Sequence, residues 1–122
     1  MRKVLLADDS KSNRMLLSQM IHSLGYIPLL ASDGARALRM LEDNPDIACV
    51  ITDCQMPELD GPGLIRAIRN ELGSPVPVLV YSAYLGLKEV AALLDQGADR
   101  FLNYPLKRED VKESLDGMLS NG

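Results

Sequence analysis

The chain has 122 residues, 47% of them hydrophobic and 25% charged, which fits one globular domain and excludes a disordered, collagen-like or disulfide-built chain. Its net charge of −4 argues against nucleic-acid binding, because neutralising phosphates requires clustered lysine and arginine. No apolar run approaches the roughly 20 residues that span a bilayer, and the amino terminus lacks the apolar region of a signal peptide. We therefore expect a cytoplasmic protein that does not enter a membrane.

Strands and helices are predicted to alternate along the chain. Short apolar runs predict strands at residues 3–7, 26–31, 47–52, 76–82 and 100–104. Apolar residues at helical spacing predict helices from a cap at Ser10 or Ser12 to Gly25, and over residues 35–41, 62–72, 87–95 and 108–119. Pro28 favours an edge position for the second strand, because proline cannot donate to a sheet.

The alternation predicts an α/β fold in three layers. Strands that are apolar throughout, each followed by a helix, indicate a parallel sheet covered on both faces, a (βα)5 sandwich. Crossovers between the strands are expected to be right-handed. We find no linker or internal repeat, so residues 1–122 are expected to form one domain.

The two cysteines and the single histidine do not indicate a metal or disulfide site. A zinc site of the usual Cys/His kind needs more ligands than these residues supply. Cys49 is predicted to be a small core residue and Cys54 a loop thiol, while His22 is expected on a helix surface without a chemical role. The acidic residues are therefore the better candidates for chemistry.

Acidic and hydroxyl side chains stand at the predicted carboxyl ends of the strands. Asp8 and Asp9 follow the first strand, and Asp53 follows the third. Ser82 ends the fourth strand, and Asn103 lies at the end of the fifth. Ligands of open parallel sheets bind at this edge, and three crowded carboxylates repel one another unless a divalent cation such as Mg²⁺ or Mn²⁺ joins them. Helix capping explains a single aspartate here, but it explains the three together less well.

Four segments carry a family resemblance that covers the whole chain. The segments VLLADD, ITDCQMPELDG, VLVYSA and GADRFLNYP together resemble the chemotaxis-type receiver domain of two-component response regulators. The resemblance implies a flavodoxin-like sheet with strand order 2-1-3-4-5. It also implies that Asp53 accepts a phosphoryl group from a histidine kinase or a phosphotransfer protein.

The resemblance further implies which residues hold the metal ion. Asp9, Asp53 and the backbone carbonyl of Gln55 would bind Mg²⁺ directly. Asp8 would contribute through a water molecule. The ion would offset charge while the oriented Asp53 carboxylate acts as nucleophile.

Other residues would bind the phosphoryl group and report its presence. Ser82 would donate its hydroxyl to a phosphoryl oxygen, and the backbone N–H groups of Cys54 and Ala83 would complete the cradle. Movement of Ser82 would then shift the region of strand 4 and helix 4 between two states. Phe101 matches the family's switch aromatic on strand 5, although plain core packing explains it equally well.

Two residues are expected to tune dephosphorylation. Gln55 and Tyr84 lie two positions after Asp53 and Ser82, where the family has residues that flank the path of the attacking water. A bulky Tyr84 would shield the phosphoryl group, so slow dephosphorylation is expected. An exposed loop aromatic without this role is the alternative.

One position departs from the family pattern. The family's strand 5 normally ends in Lys-Pro, whereas this chain has Tyr104 before Pro105. The nearest cations, Lys107 and Arg108, lie beyond the proline. Because a neutral hydrogen bond contributes about 1 kcal/mol and a charge-assisted one roughly 1.5–3 kcal/mol, the phosphoryl group should be less stabilised. Either Asp53 is still phosphorylated with weaker or rewired signalling, or the chain is a pseudo-receiver that binds proteins independently of phosphorylation.

Two other functions of this fold fit the residues less well. A flavodoxin-like sheet can hold FMN, but the segment ADDSKSN is acidic where a phosphate would bind. An aspartyl phosphatase would need a second acid where this chain has Gln55, and there is no room for a substrate cap. We therefore expect a signalling phosphoacceptor that catalyses only its own phosphorylation and dephosphorylation, not a general enzyme.

A protein-interaction surface is expected on helix 4, strand 5 and helix 5. It would bind a downstream target or a second copy of the chain, and Tyr84, Leu85, Leu87 and Tyr104 are candidates for exposure there. Because the sequence starts directly at strand 1, we expect a stand-alone receiver or the first domain of a longer protein. The segment DCQMP also resembles receivers of hybrid histidine kinases, so a third alternative is that this chain is a segment excised from a longer protein.

Overall fold

A five-stranded parallel sheet forms the centre of the molecule, in a computed structural model that describes residues 1–56, 59–83 and 86–119. The strands are Lys3–Ala7 (β1), Ile27–Ala31 (β2), Ile47–Asp53 (β3), Val78–Ser82 (β4) and Arg100–Asn103 (β5). The helices are Lys11–Ser23 (α1), Gly34–Asp43 (α2), Gly61–Arg66 (α3), Leu87–Gln96 (α4) and Arg108–Leu119 (α5). The strand order β2-β1-β3-β4-β5 confirms the predicted flavodoxin-like (βα)5 fold.

The predicted elements are all observed, with shifts of one to three residues at their ends, except that the helix predicted to end at residue 72 is α-helical only to Arg66 and continues as a π-helical turn. β4 begins at Val78 and not at residue 76, and Pro77 just before it still accepts a hydrogen bond from the N–H of Val50 at 2.9 Å. β3 extends one residue further than predicted and includes Asp53. β2 forms one edge of the sheet, as Pro28 indicated. In the described ranges, none of the helices combines the length and the apolar character needed to cross a bilayer.

Local hydrogen bonds explain where several helices begin. Ser10, and not Ser12, caps α1, since its hydroxyl accepts from the N–H of Asn13 at 3.3 Å. The Asp60 carboxylate caps α3 by accepting from the N–H of Gly63 at 2.9 Å. A side-chain oxygen at the N-cap satisfies an N–H that would otherwise have no partner in the helix. Each cap therefore fixes the direction in which the chain leaves the carboxyl edge of the sheet.

The sheet separates two hydrophobic clusters. Leu5 and Val50 point to the face that α2, α3 and α4 cover, while Leu6 and Ile51 point to the face that α1 and α5 cover. All four side chains are fully buried. Because neighbouring residues of a strand face opposite sides of a sheet, runs such as VLLA must be apolar throughout to fill both clusters. The strands whose carboxyl ends form the candidate site are therefore packed on both faces.

A π-helical turn, Ala67–Glu71, continues α3 and carries an arginine to the amino-terminal edge of the sheet. The guanidinium of Arg69 donates to the carbonyl oxygens of Ser74 at 2.8 Å, Val76 at 2.7 Å and Gly97 at 2.7 Å. It also pairs with Asp99 at 3.2 Å. No local pattern in the sequence indicates these contacts, which tie together the segments that precede β4 and β5.

The cysteines and the histidine lie where the sequence predicted. Cys49 is buried in the core and Cys54 is half-buried after β3, and both are free thiols. Burial is the main reason that the pKa of Cys49 rises to about 12, so this thiol stays protonated and unreactive. His22 is exposed on α1.

Candidate functional site

Three carboxylates converge at the carboxyl edge of the sheet. Asp8, Asp9 and Asp53 each offer an oxygen within 4.8 Å of the others. The strand register produces this convergence, because Ala7 at the end of β1 pairs with Thr52 of β3, one residue before Asp53. The predicted meeting of these acids is therefore observed.

The Asp8 carboxylate is fully buried, and both of its oxygens accept hydrogen bonds. The N–H of Ser10 donates to Oδ1 at 2.8 Å, and the hydroxyl of Tyr81 donates to Oδ2. Arg14 donates to the backbone carbonyl of Asp8 at 2.6 Å and so fixes the same turn. A buried charge needs such partners, since removing it from water is otherwise costly.

Asp53 is half-buried and has less support. Its Oδ1 accepts from the N–H of Gln55 at 3.2 Å. Burial, followed by the charges of Asp8 and Asp9, raises the pKa of the Asp53 carboxyl above its ordinary value. The Gln55 N–H lowers this pKa but does not reverse the shift. The ionised form of Asp53 is thus disfavoured until a positive charge arrives.

Tyr81 is a central residue of this site that was not among the predicted site residues. It lies in β4 beside Asp53 in the register, and its ring is 1% exposed. Burial, and then the hydrogen bond to Asp8, raises the pKa of the Tyr81 phenol above its ordinary value. The phenol therefore remains protonated and serves as a donor. A buried tyrosine usually needs a hydrogen-bond partner, and this need was the available signal.

A cavity of about 190 Å³ opens next to Asp53. It is lined by Asn13, Asp53, Gln55, Tyr81, Ser82, Ala83 and Tyr104. Ser82 is largely buried and Ala83 is exposed at its rim. None of these described lining residues carries a positive charge.

The predicted members of the phosphoryl cradle differ in whether they line the cavity. The N–H of Cys54 donates to the carbonyl of Tyr81 at 2.9 Å, and its predicted contact with a phosphoryl group stays a prediction. Ser82 and Ala83 do line the cavity beside Asp53. Phe101 is half-buried and packs against the core cluster beneath α2, α3 and α4.

Tyr104 occupies the rim of the cavity, but its hydroxyl points to another partner. The phenol donates to the side-chain carbonyl of Asn13 at 2.7 Å. Arg108 donates to the hydroxyl of Ser23 at 3.0 Å, at the far end of α1. Lys107 does not line the cavity. Tyr84 lies outside the described residues, so its predicted role stays a prediction.

The donor set fits a hard divalent cation. Mg²⁺ and Mn²⁺ prefer carboxylate, carbonyl and water oxygens, and three carboxylate oxygens meet here beside Gln55. A cation would also relieve the repulsion that raises the pKa of Asp53. The residues present are thus suited to Mg²⁺ or Mn²⁺.

Comparison with known proteins places the chain in a family. Residues 4–116 match the model of the response regulator receiver domain. A chemotaxis protein CheY homolog of Campylobacter jejuni is 30% identical over 122 residues, and the match covers 98% of this chain and 94% of that protein. The probable transcriptional regulator ycf27 of Guillardia theta is 33% identical, with 96% of this chain and 45% of that protein covered. The sensor histidine kinase RcsC of Escherichia coli is 37% identical, with 92% and 12% covered.

Solved structures agree with the sequence relatives. The chemotaxis protein CheY4 of Vibrio cholerae superposes with a TM-score of 0.91 at 28% identity, covering 98% of this chain and 99% of that one. This chain thus spans nearly all of the CheY proteins, but less than half of ycf27 and about an eighth of RcsC. Phosphorylation and Mg²⁺ binding are typical of these domains, which act with histidine kinases and downstream effectors. The chain belongs to the response regulator receiver domain family of two-component signal transduction.

Proposed function

We propose that Asp53 is the phosphoacceptor of this receiver domain. An oxygen of its carboxylate attacks the phosphorus of a phosphohistidine on a kinase or phosphotransfer protein. A P–O bond forms while the P–N bond breaks, and the imidazole nitrogen leaves with the electron pair. The observation that supports this role most is the convergence of Asp8, Asp9 and Asp53 within 4.8 Å, beside a cavity that contains Ser82.

The acidic residues would hold the ion that this reaction needs. Asp9, Asp53 and the backbone carbonyl of Gln55 would bind Mg²⁺ or Mn²⁺ directly, and Asp8 would contribute through water. The bound ion supplies positive charge to the attacking and phosphoryl oxygens. Asp9 is exposed and so is accessible to an incoming ion, while the buried Asp8 has both oxygens engaged.

Ser82 would detect the phosphoryl group on Asp53. Ser82 lines the cavity at the end of β4, and α4 begins at Leu87 a few residues later. A hydrogen bond from this hydroxyl to a phosphoryl oxygen would pull the end of β4 and shift the start of α4. Phe101 in the neighbouring β5 would repack in response, since Val80 of β4 pairs with it.

A phosphorylation-independent pseudo-receiver is the second candidate function. Its support is the composition of the cavity, whose described lining contains no cation, and the Tyr104 phenol that donates to Asn13 and not toward Asp53. In that case the fold would serve only as a protein-binding module. The presence of the full set of acids together with Ser82 favours phosphorylation.

The output surface would be the face of α4, β5 and α5. Leu87 is 91% exposed, Leu94 is 53% exposed and Tyr104 is 39% exposed. Such a surface suits a downstream target or a second copy of the chain. We propose that the chain works in the cytoplasm as a signalling phosphoacceptor and not as a general enzyme.

Phosphorylation by a small donor tests the function directly. The chain is incubated with acetyl phosphate and Mg²⁺, and its intact mass is measured with and without EDTA. We expect one phosphoryl adduct that requires Mg²⁺ and that Asp53→Asn abolishes, while Asp95→Asn on the exposed side of α4 retains it. If the wild-type chain gains no adduct while an ordinary receiver does, the pseudo-receiver replaces this proposal.

A further inference from the structure

The hydroxyl of Tyr81 lies at the acidic site but has no role in the proposed phosphoryl transfer. Tyr81 belongs to the central part of the sheet, yet its hydroxyl reaches Oδ2 of Asp8 on the other side of β3. Tyr81 is 1% exposed, so bulk water is a poor alternative partner for its hydroxyl. The contact is a direct hydrogen bond between a neutral donor and a buried carboxylate.

The charges around Asp8 explain why such a donor is needed. Asp8 is 0% exposed and lies within 4.8 Å of the carboxylates of Asp9 and Asp53. The Arg14 guanidinium lies close by, but it donates to the backbone carbonyl of Asp8 at 2.6 Å and not to its carboxylate. Without a bound ion, the Asp8 carboxylate therefore depends on the N–H of Ser10 and the hydroxyl of Tyr81.

We propose that Tyr81 is a positioning residue that stabilises the ion-free site and opposes the binding of the divalent cation. A hydrogen bond to an ionised group is stronger than one to a neutral group. When the cation shares the charge of Asp8, the hydrogen bond from Tyr81 weakens. Because the hydroxyl stabilises the ion-free state more than the loaded state, it lowers the affinity for the ion by linkage. This inference rests on the proposed function, since it requires that the acids bind the cation.

Tyr104 provides a matched comparison within the same cavity. The two tyrosine rings lie with their centroids 6.4 Å apart. The Tyr104 hydroxyl donates to Asn13, a neutral side chain that is not one of the proposed ion ligands. Removal of either hydroxyl costs one hydrogen bond. Only at Tyr81 should the resulting loss of stability depend on whether the ion is bound.

Thermal unfolding of three chains tests the proposal. Wild type, Tyr81→Phe and Tyr104→Phe are compared in EDTA and in saturating Mg²⁺. In EDTA, we expect Tyr81→Phe to lower Tm by about 3–6 °C, because a buried carboxylate loses a donor. This loss should shrink in Mg²⁺, and calorimetry should show a roughly three- to ten-fold tighter Mg²⁺ affinity for Tyr81→Phe. For Tyr104→Phe, the change in Tm should be the same in both solutions.

The outcomes separate this inference from the proposed function. If wild type binds Mg²⁺ and Tyr81→Phe loses as much Tm in Mg²⁺ as in EDTA, the hydroxyl is only structural and the inference is wrong. Weaker Mg²⁺ binding by Tyr81→Phe also overturns it. If Mg²⁺ neither binds nor stabilises the wild-type chain, the inference and the metal site both fail.

A spectroscopic measurement gives the same answer without relying on the fold of Tyr81→Phe. The chain has four tyrosines and no tryptophan, so tyrosine dominates its near-ultraviolet absorption. Addition of Mg²⁺ should shift one buried tyrosine band to shorter wavelength as its bond to the carboxylate weakens. The shift should persist in Tyr104→Phe. Its absence in wild type that binds Mg²⁺ would contradict the inference.

Discussion

Side chains of opposite charge are paired at the amino-terminal edge of the sheet, whereas three carboxylates lie beside one another at its carboxyl edge. At the amino-terminal edge, the Arg69 guanidinium donates to three carbonyl oxygens and pairs with Asp99. At the carboxyl edge, Asp53 accepts one described backbone hydrogen bond and faces two other carboxylates. The paired charges at the first end stabilise the fold, whereas the second end carries acidic charge that a bound cation could offset.

The contacts of Asp99 extend this contrast. Asp99 accepts from the N–H of Val78 at 2.8 Å in addition to its pairing with Arg69. This carboxylate therefore has an opposite charge and a backbone donor, and it fixes the start of β4. Asp53 at the other end of the sheet has a backbone donor but no opposite charge within the described cavity lining. A carboxylate in the first setting is structural, whereas one in the second is available to a cation.

Removal of the Arg69 contacts should produce the largest change in stability. Arg69→Met removes a donor from three carbonyl oxygens and the opposite charge from Asp99, which keeps only the N–H of Val78, so we expect the free energy of unfolding to fall by about 2–4 kcal/mol. Denaturant unfolding measures this loss, with Arg66→Met on the exposed face of α3 as the control. Phosphorylation of the folded fraction by acetyl phosphate should be unchanged. A matching loss of phosphorylation would show that the two ends of the sheet are coupled.

A positively charged side chain at the rim of the cavity should offset part of the negative charge of the three carboxylates. Tyr104→Lys replaces a phenol that lines the cavity with an ammonium. We expect the phosphoryl adduct to form faster or to last longer by roughly ten-fold, because a charge-assisted hydrogen bond contributes about 1–2 kcal/mol more than a neutral one. The time course of the adduct by intact mass measures the effect, and Tyr104→Met controls for loss of the Asn13 contact. Equal time courses for both variants would contradict this account of the missing charge.

The pH dependence of stability should show the smallest effect and should have opposite signs at two aspartates. The pKa of Asp53 is raised when the protein folds, so in EDTA its ionisation destabilises the protein above that pKa. As pH falls through the raised pKa, this penalty should disappear. The stability advantage of Asp53→Asn over wild type should therefore shrink as pH falls toward 3.8, the ordinary value.

Asp46 provides the control with the opposite sign. Its ion pair with Lys3, at 2.8 Å, lowers the pKa of Asp46 below the ordinary value. The contribution of Asp46 to stability should therefore be present at neutral pH and be lost as pH falls through its lowered pKa. Denaturant unfolding of Asp46→Asn across the same pH range measures it. Equal signs for the two variants would contradict the assigned environments.

The sequence predicted the order of elements well because their signals are local. The apolar runs and helical spacings each depend on a few neighbouring residues, and every predicted strand and helix is observed. The convergence of Asp8, Asp9 and Asp53 was also predictable, since parallel strands present their carboxyl ends on one edge. The ends of elements were less predictable, as the later start of β4 at Val78 shows.

The partners of individual side chains could not be predicted in the same way. Tyr81 meets Asp8 across 73 positions of sequence, and only the strand order and register bring the two together. Arg69 lies in a π-helical turn and meets Gly97 across 28 positions of sequence, and no local signal marked that turn. The hydrogen bond that the Cys54 N–H donates to the carbonyl of Tyr81 likewise depends on the pairing of β3 with β4.

The most direct measurement locates the phosphoryl group on the chain. After reaction with acetyl phosphate and Mg²⁺, borohydride reduces an aspartyl phosphate to homoserine, and peptide mass spectrometry finds the modified position. The account predicts homoserine at position 53 and nowhere else. Homoserine at another aspartate, or none in a chain that binds Mg²⁺, would contradict the assignment of Asp53 as the phosphoacceptor.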